Sequence, residues 1–460
     1  MNRLLPFSLV SFVLLSGSCR VEPEGVDSGL EVVELTALEA SALETVRTVI
    51  RVDWSLSTST QSWVEFGESE ALGRSTIVSE ADTNHDAFLV GFPAETEVFY
   101  RVVWTDDAGS ESYGPTQQVT TGALPASLPE LTLQRGTESL DTFLGTSITG
   151  AAWAAIIMND RGQIVWYALE ERGFNVYRTR LARDGQSILY NAVGVGNIDL
   201  YEGSEIVRIG FDGEIIESYN VPWMTHDFVE LPDGDLMAIA YDFGGTEDDE
   251  DPVRGDKLVR VNIEDGSTET FWSTWDVYDP STHGYQDGDS TWTHANALDY
   301  SDEDDALYLG IRDMGTIIKL DAQTAEVEWG LSGDANSFTW IGEGDGWELE
   351  HQFELQGNRM LVFDNGNSER ASSYVQEYTL DFDAMTAERT WLHEAEPPLF
   401  VWALGDVDTL PSGDLLVTYA TSGLYQRINR GGTVLWELGS PLGYAAGYTT
   451  LISSLDSVDL

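Results

Sequence analysis

Residues 225–240 read THDFVELPDGDLMAIA, two apolar segments separated by a Pro-Asp-Gly-Asp turn. Proline and glycine in such a turn favour a tight reversal of the chain, and the flanking apolar segments, rich in β-branched and aromatic residues, favour strands. Turns at 183–185 and 411–414 repeat the pattern. Beyond residue 130 the chain therefore predicts a succession of short antiparallel strands.

Each repeat closes on a strand that ends in an aromatic residue, and these residues recur 45 to 62 positions apart. That interval is the length of a four-stranded blade with its loops, so the sequence predicts an all-β fold with a six-bladed β-propeller over residues 130–460. The long helical period that an α/β fold needs is missing from the pattern. We expect the closing aromatics to pack between blades: Trp166, Tyr219, Trp272, Trp329, Trp391 and Trp436.

Residues 31–122 predict a smaller β-sandwich that precedes the propeller. Apolar residues alternate from 46 to 54, and the stretch 92–109 resembles the late strands of fibronectin type III domains. His85 is expected on the surface of this unit. Two prolines among small residues at 122–129 mark the boundary.

The amino terminus resembles a lipoprotein signal. A basic start, an apolar core and small residues lead to Cys19, the only cysteine, so residues 1–19 are predicted to be a signal peptide with lipid attachment at Cys19. Residues 20–30 have the composition of a tether. The expected location is outside the cytoplasm, in the cell envelope, either facing the periplasm or at the cell surface.

Acidic residues outnumber basic ones 79 to 23, and the formal net charge is -56. Binding to nucleic acid or to an anionic membrane face by charge is therefore excluded. Two interpretations of the acidity stay open: a solvated shell suited to a salty medium, or an acidic binding surface.

Three of the six histidines stand where predicted blades begin. His226, His294 and His351 each lead directly into an apolar strand, at spacings of about one blade. Equivalent positions in successive blades meet at the central axis, so the three imidazoles should face one funnel. The alternative is coincidence, because polar residues are common at strand starts.

Arg312 follows His294 at the end of the next predicted strand, in a chain that has few cations. Asn296 lies two residues after His294, so the two side chains point the same way from a strand. An arginine beside three histidines makes an anion site. The alternative for Arg312 is a salt bridge to Asp313.

The segments 294–299, 310–321, 327–333, 363–367, 372–378 and 405–407 resemble the aryl-sulfate sulfotransferase family. The resemblance covers most of residues 130–440. It implies transfer of a sulfuryl group from an aryl sulfate to a phenol, without the nucleotide donor PAPS and without a cofactor. It further implies that His351 is the nucleophile, that His226, His294 and Arg312 surround the sulfuryl group, and that Asn296 assists in binding substrate.

The residue types suit that chemistry. Charge develops on the sulfuryl oxygens and the leaving phenolate, and Arg312 with a protonated histidine is expected to stabilise it. Neutral imidazole at His351 is a nucleophile near pH 7, and His226 is the expected acid/base for the phenol. Neither lysine lies in a glycine-rich phosphate loop, so no nucleotide site is predicted.

Two other functions remain open from the sequence. The first is a lipid-anchored propeller that binds a ligand or partner protein at the cell surface without catalysis. The second is a metal enzyme that uses the histidines with Asp227, which is disfavoured because Arg312 would repel the metal. The donor, the acceptor and the oligomeric state are not determined by the sequence.

Overall fold

A computed structural model describes residues 32–106, 109–137, 139–243, 253–281, 291–344, 346–367, 369–370 and 372–455. The prediction of an all-β chain is confirmed: within these ranges the α-helices are only α1 (Ile198–Glu202) and α2 (Thr274–Val277). Short 3-10 turns span Arg312–Met314, Gly333–Ala335 and Ala420–Ser422. Cys19 and the predicted signal and tether lie outside the described residues. In the described part no helix is long and apolar enough to cross a membrane.

The amino-terminal part holds two antiparallel sheets around one core. Their orders are β1-β2-β5 and β4-β3-β6-β7, with β8 paired to β6. In β2, Ile50, Val52 and Trp54 are buried between exposed neighbours, as the alternating pattern predicts. The strands are β1 Leu35–Ala42, β2 Ile50–Thr60, β3 Ser62–Gly67, β4 Arg74–Ser75, β5 Asp82–Leu89, β6 Glu97–Thr105, β7 Glu111–Tyr113 and β8 Gln117–Thr120.

The prediction of a surface position for His85 is wrong. His85 is buried opposite Trp54 in the β2–β5 pair, and the two rings stack with centroids 5.3 Å apart. Its Nδ1 lies 2.7 Å from Ser79 Oγ and its Nε2 2.8 Å from the carbonyl of Asp82. Residue 85 falls on the inner face of β5, and these two hydrogen bonds make a buried imidazole tolerable there.

Within the described residues six further sheets follow. Five of them are built on four consecutive antiparallel strands, and the first has three consecutive strands and two more from the carboxyl-terminal part. The first sheet has β10 Phe143–Gly150, β11 Ala154–Met158 and β12 Ile164–Leu169, with β34 Tyr444–Ala446 and β35 Thr450–Ile452 paired to β10. The second has β13 Thr179–Leu181, β14 Ile188–Ala192, β15 Glu205–Ile209 and β16 Ile215–Asn220. The third has β17 Met224–Glu230, β18 Leu236–Phe243, β19 Arg254–Val261 and β20 Thr268–Ser273.

The remaining three sheets continue the pattern. The fourth has β21 Ala295–Ser301, β22 Ala306–Ile311, β23 Thr316–Asp321 and β24 Val327–Leu331. The fifth has β26 Phe353–Gln356, β27 Arg359–Asp364, β28 Tyr374–Asp381 and β29 Thr386–Glu394, with β25 Thr339–Ile341 parallel to β29. The sixth has β30 Asp406–Thr409, β31 Leu415–Tyr419, β32 Leu424–Ile428 and β33 Val434–Gly439, with β9 Thr132–Arg135 paired to β33.

We call β13, β17, β21, β26 and β30, together with β34 and β35 of the first sheet, the leading strands. They lie at one edge of their sheets. The closing aromatics fall in β12, β16, β20, β24, β29 and β33, and all except Trp391 are buried. The first four of these strands are the opposite edges of their sheets, whereas β25 and β9 pair beyond β29 and β33. Two of the aromatics bond the following sheet: the indole N–H of Trp166 donates to the carbonyl of Phe211 at 3.1 Å, and that of Trp391 to Arg430 at 3.0 Å. Trp166 and Trp391 therefore contact the following sheet, as predicted for the closing aromatics.

The amino-terminal sheets pack on the first of these six sheets. Val46 and Val49 belong to the same buried cluster as Leu140 and Leu144. The backbone N–H of Arg47 donates to Tyr167 Oη at 3.0 Å. Apolar burial and this hydrogen bond join the two parts of the chain.

Candidate active site

Three imidazole rings meet at the beginning of three adjacent leading strands. His226 lies in β17, His294 directly precedes β21, and His351 lies two residues before β26. The ring centroid of His226 is 5.0 Å from that of His294 and 6.4 Å from that of His351. The structure thus brings together residues that are far apart in the chain, at the place that the repeat spacing indicated.

The backbone at two of these histidines is strained. His226 has φ 44° and His294 φ 52°, in the left-handed region that costs a residue with a side chain about 1–3 kcal/mol. Buried polar contacts hold both positions: Asn191 Nδ2 donates to the carbonyl of His226 at 2.8 Å, and the N–H of Ala295 donates to Asp256 Oδ2 at 2.8 Å. Strain held in this way is typical of functional sites.

Arg312 lies beside His294, where β22 ends. Its Nη1 is 3.2 Å from His294 Nδ1 and 2.9 Å from Asp313 Oδ1. The structure therefore shows both neighbours that the sequence suggested for Arg312, the histidine and the carboxylate of Asp313. Its Nε is buried without a hydrogen-bond partner, so the guanidinium keeps a donor that a bound anion would satisfy.

The orientation of His351 is fixed by Asn365, a residue to which sequence reasoning gave no role. The Nδ2 of Asn365 donates to the carbonyls of Val401 and Leu404, at 2.8 Å each. Its Oδ1 must then face His351 Nδ1, which lies at 2.7 Å. Because an amide oxygen only accepts, Nδ1 carries the proton and Nε2 keeps its lone pair. Asn365 could have been found from the sequence, because it lies in the segment 363–367, which resembles the family.

All three imidazoles are neutral near pH 7. Burial, then the charge of Arg312, lowers the pKa of His351 to about 3 and that of His226 to about 4. Burial, then His226 and Arg312, holds the pKa of His294 well below its usual value. The expectation of a protonated histidine in the site is therefore wrong, because these rings are desolvated next to a guanidinium. Arg312 carries the positive charge.

Asn296 is completely buried. Its Nδ2 donates to the carbonyl of Glu350 at 2.6 Å, one residue before His351, and its Oδ1 packs near Gly310, where a Cβ would lie 3.5 Å away. Asn296 therefore ties the fourth sheet to the fifth. Burial raises the pKa of the adjacent Glu350 carboxyl well above its usual value, which favours its neutral form.

Beneath the histidines lies a buried ion-pair network, which we call the floor. Arg178 forms a two-fold contact with Asp227, Nε to Oδ1 at 2.9 Å and Nη2 to Oδ2 at 2.8 Å. Gln352 Nε2 donates to Asp227 Oδ2 at 3.0 Å, and Asp406 Oδ2 lies 3.4 Å from Arg178 Nη1. Asp227 follows His226 and Gln352 follows His351, so the floor fixes the two histidine-bearing strands to each other.

Asp227 is the carboxylate that a metal site formed with the three histidines would use. Burial raises its pKa, but the charges of Arg178 and Arg180 outweigh burial and hold the pKa below its usual value. Both of its oxygens already accept from Arg178 and Gln352. Across the described ranges, no group of three or more His, Cys, Asp or Glu side chains is arranged to hold a metal ion.

In the other three sheets, the position equivalent to these histidines holds a different residue. Tyr177 precedes β13, Tyr448 precedes β35, and Gly405 precedes β30. The ring of Tyr177 stacks on His226 with centroids 6.1 Å apart and planes at 18°. Tyr448 Oη donates to the carbonyl of Asn296 at 3.0 Å. Aromatic rings thus flank the histidines on one side, and a glycine stands on the other, next to His351.

The chain is similar to one protein family and to several solved structures. A family model described as Arylsulfotransferase (ASST) matches residues 147–441. No curated protein matches the chain significantly. Among solved structures, a protein of unknown function from Bacteroides caccae is similar at 13% identity, with 68% of this chain and 99% of that chain covered and a TM-score of 0.44. Virginiamycin B lyase from Staphylococcus aureus is similar at 12% identity, with 88% and 99% covered and a TM-score of 0.37. The β-propeller domain of Cps50 (Swd1) from Myceliophteria thermophila is similar at 14% identity, with 68% and 90% covered and a TM-score of 0.39.

Proposed function

The chain belongs to the arylsulfotransferase (ASST) family, and from this membership we propose that it transfers a sulfuryl group from an aryl sulfate to a phenol through a sulfohistidine at His351. One observation carries the assignment of the nucleophile. Asn365 holds Nδ1 of His351 in its protonated form, which leaves the Nε2 lone pair available in a buried site beside a guanidinium. A neutral imidazole in that state is a nucleophile that requires no metal.

The proposed reaction has two half-reactions. In the first, the Nε2 lone pair of His351 attacks sulfur, the bond from sulfur to the aryl oxygen breaks, and the phenolate leaves with that electron pair. In the second, the acceptor phenol attacks sulfur as His226 takes its proton, and the bond from sulfur to Nε2 breaks, which returns the lone pair to His351. Arg312 stabilises the sulfuryl oxygens throughout.

His294 has a supporting role in this proposal. Arg312 Nη1 is a donor, so the Nδ1 of His294 at 3.2 Å accepts and the proton of this neutral ring lies on Nε2. That N–H is a second donor for a sulfuryl oxygen. Asn296 supports the loop before His351 through Glu350.

The architecture proposed for this function is a six-bladed β-propeller over residues 130–460, preceded by a fibronectin III-like sandwich over 31–122. The six consecutive sheets support the blades, and the pairing of β9 with β33 and of β34 with β10 supports closure of the ring. The two amino-terminal sheets with their common core support the sandwich.

The direct test is incubation with 4-nitrophenyl sulfate, with and without phenol. We expect release of 4-nitrophenolate that phenol accelerates, formation of phenyl sulfate, and ping-pong kinetics. A folded protein that binds phenols and releases no phenolate from any aryl sulfate would instead support the non-catalytic, ligand-binding propeller.

Substitution of Arg312 separates its charge from its geometry. We expect Arg312→Lys to slow transfer about a hundredfold, because the ammonium keeps the charge and loses the planar fork.

The neutral variant Arg312→Gln should in addition change the pH profile. The fall of kcat/KM at acid pH should begin at a higher pH, because the charge of Arg312 helps to lower the pKa values of His226 and His351. In the parent that fall should lie below about pH 5. Arg260→Lys is the matched control, because Arg260 in β19 forms an ion pair with Asp235 of the preceding turn, and it should change neither quantity. An unchanged rate in Arg312→Lys would contradict the assignment.

We also propose that the chain is exported and anchored through a lipid at Cys19. The support is the amino-terminal sequence, in which the only cysteine follows an apolar core and small residues. Cys19→Ser should move the protein from the membrane fraction to the soluble fraction, as measured by immunoblot. Unchanged fractionation of this variant would contradict the anchor.

A further inference from the structure

Asp256 is a buried carboxyl group that reaches from the third sheet to the segment that carries His294. It lies in β19 opposite Tyr241 and is 1% exposed. Its Oδ2 accepts from the N–H of Ala295 at 2.8 Å and from the hydroxyl of Thr293. The residues on both sides of His294 are therefore bound to the same carboxyl oxygen.

Arg312 and Asp313 bind this segment from the other side. The N–H of Arg312 donates to the carbonyl of His294 at 3.2 Å, and that of Asp313 donates to the carbonyl of Thr293 at 3.0 Å. The strained backbone at His294, with φ 52°, is thus held between Asp256 and the turn that carries Arg312. In this arrangement His294 Nδ1 lies 3.2 Å from Arg312 Nη1.

The carboxyl of Asp256 is attached to a strand that is itself fixed on both sides. β19 pairs with β18 and with β20. The backbone N–H of Asp256 donates to Thr274 Oγ1 at 3.0 Å, and that hydroxyl donates to the carbonyl of Asp256 at 2.9 Å. Because the strand is held in this way, the carboxyl is a rigid support for the segment around His294.

One oxygen of this carboxyl has no partner. Oδ1 is buried and accepts no hydrogen bond, which costs stability. Burial raises the pKa of Asp256 to about 7, against the hydrogen bonds from Thr293 and Ala295, which lower it. The neutral form, with its proton on Oδ1, is therefore well populated near neutral pH. A buried group that is kept at such a cost beside strained backbone is typical of a functional site.

We infer that Asp256 is a positioning residue, which holds His294 against Arg312 and so aligns the two groups that donate to the sulfuryl oxygens. The inference rests on the proposed function, in which both groups are donors. Asp256 acts through His294 and does not contact the sulfuryl group itself. Without its carboxyl, His294 is free to adopt the more stable negative φ, and its ring moves away from Arg312.

The test is a cycle of single and double variants, assayed with 4-nitrophenyl sulfate and phenol. Asp256→Ala should lower kcat about a hundredfold and leave KM within about threefold, as for the loss of one preorganised donor in the transition state. His294→Ala should lower kcat by a similar factor, and adding Asp256→Ala to it should cause no further loss. Asp256→Asn keeps an oxygen for Thr293 and Ala295 and should restore most of the rate.

Asp235→Ala is the matched control. Asp235 is a buried carboxylate in a turn of the same sheet, and it accepts from Arg260 Nε at 2.8 Å and from the N–H of Ile263 at 3.2 Å. Its loss removes similar hydrogen bonds away from His294, so kcat should stay within about twofold. Thr293→Val removes one of the two hydrogen bonds to Asp256 Oδ2. It should lower kcat by a smaller factor, which keeps the inference testable if Asp256→Ala does not fold.

A crystal structure of Asp256→Ala gives a readout that does not depend on turnover. We expect a negative φ at His294 and loss of its contact with Arg312. If the parent is active but His294 keeps its place, or if the losses in the double variant multiply, the inference is overturned and the function stands. Parental kcat in Thr293→Val also overturns it. If the parent releases no phenolate and His294 moves as expected, the function fails and the positioning role is supported.

Discussion

Replacement of His351 by Asn is expected to abolish both half-reactions, a loss on the order of a thousandfold or more in kcat. The amide Nδ2 of the new residue can still donate to Asn365 Oδ1, which His351 contacts at 2.7 Å, so the local structure should persist. An amide has no basic lone pair that could attack sulfur, so the covalent intermediate cannot form. The measurement is release of 4-nitrophenolate together with formation of phenyl sulfate.

The same prediction has a chemical signature. With acceptor withheld, the parent should accumulate a sulfuryl group on one histidine, which peptide mass spectrometry would locate at His351. His393→Asn is the matched control, since His393 is also buried but packs on Trp391 in β29, away from the site. Turnover at the parental rate in His351→Asn would move the nucleophile elsewhere, with His294 the next residue to test.

The convergence of the histidines could be predicted because the fold repeats. Equivalent positions of a repeated unit occupy equivalent places, so histidines about one blade apart in the sequence have rings whose centroids lie a few ångströms apart.

The glycine turns were predictable for a local reason. Gly234 and Gly413 have φ of 89° and 86°, a conformation that other residues rarely adopt.

The floor was not predicted, although Arg178, Asp227, Gln352 and Asp406 each directly follow a histidine of the site or the residue at the equivalent position of another sheet, in register with one another. Arg178 meets Asp227 across 49 positions and Asp406 across 228. An arginine before a short strand has no local feature that separates it from a surface residue. Only the arrangement of the sheets brings its partners within reach.

The prediction of a protonated histidine was wrong for a related reason. A histidine in water titrates near pH 6.5, so a protonated imidazole was compatible with the sequence. Burial depends on tertiary packing, and together with the charge of Arg312 it lowers the pKa of His226 and of His351. His85 shows the same limit: its position opposite Trp54 depends on the register of β2 and β5.

The second large effect is expected in the floor, on stability. Arg178→Met should lower the free energy of unfolding by about 3–5 kcal/mol, because it leaves the carboxylate of Asp227 buried without its two-fold partner. Arg180, whose Nη2 is 3.5 Å from Asp227 Oδ1, compensates in part. Unfolding in urea, followed by tryptophan fluorescence, measures the change.

The loss should also depend on pH in a defined direction. In the parent, Asp227 has a lowered pKa and stabilises the fold at pH values above the unfolded pKa near 4, an effect lost as pH falls through the lowered folded value. In Arg178→Met, burial without the arginine should raise that pKa, so the variant loses stability as pH rises from about 4 toward neutrality. The difference between parent and variant should therefore be larger at pH 8 than at pH 5. Arg51→Met removes an exposed ion pair with Asp53 and Asp86, and we expect a pH-independent change below about 1 kcal/mol. An equally small change in Arg178→Met would mean that the histidine-bearing strands are held together by backbone and apolar contacts, and that the floor contributes no net stability.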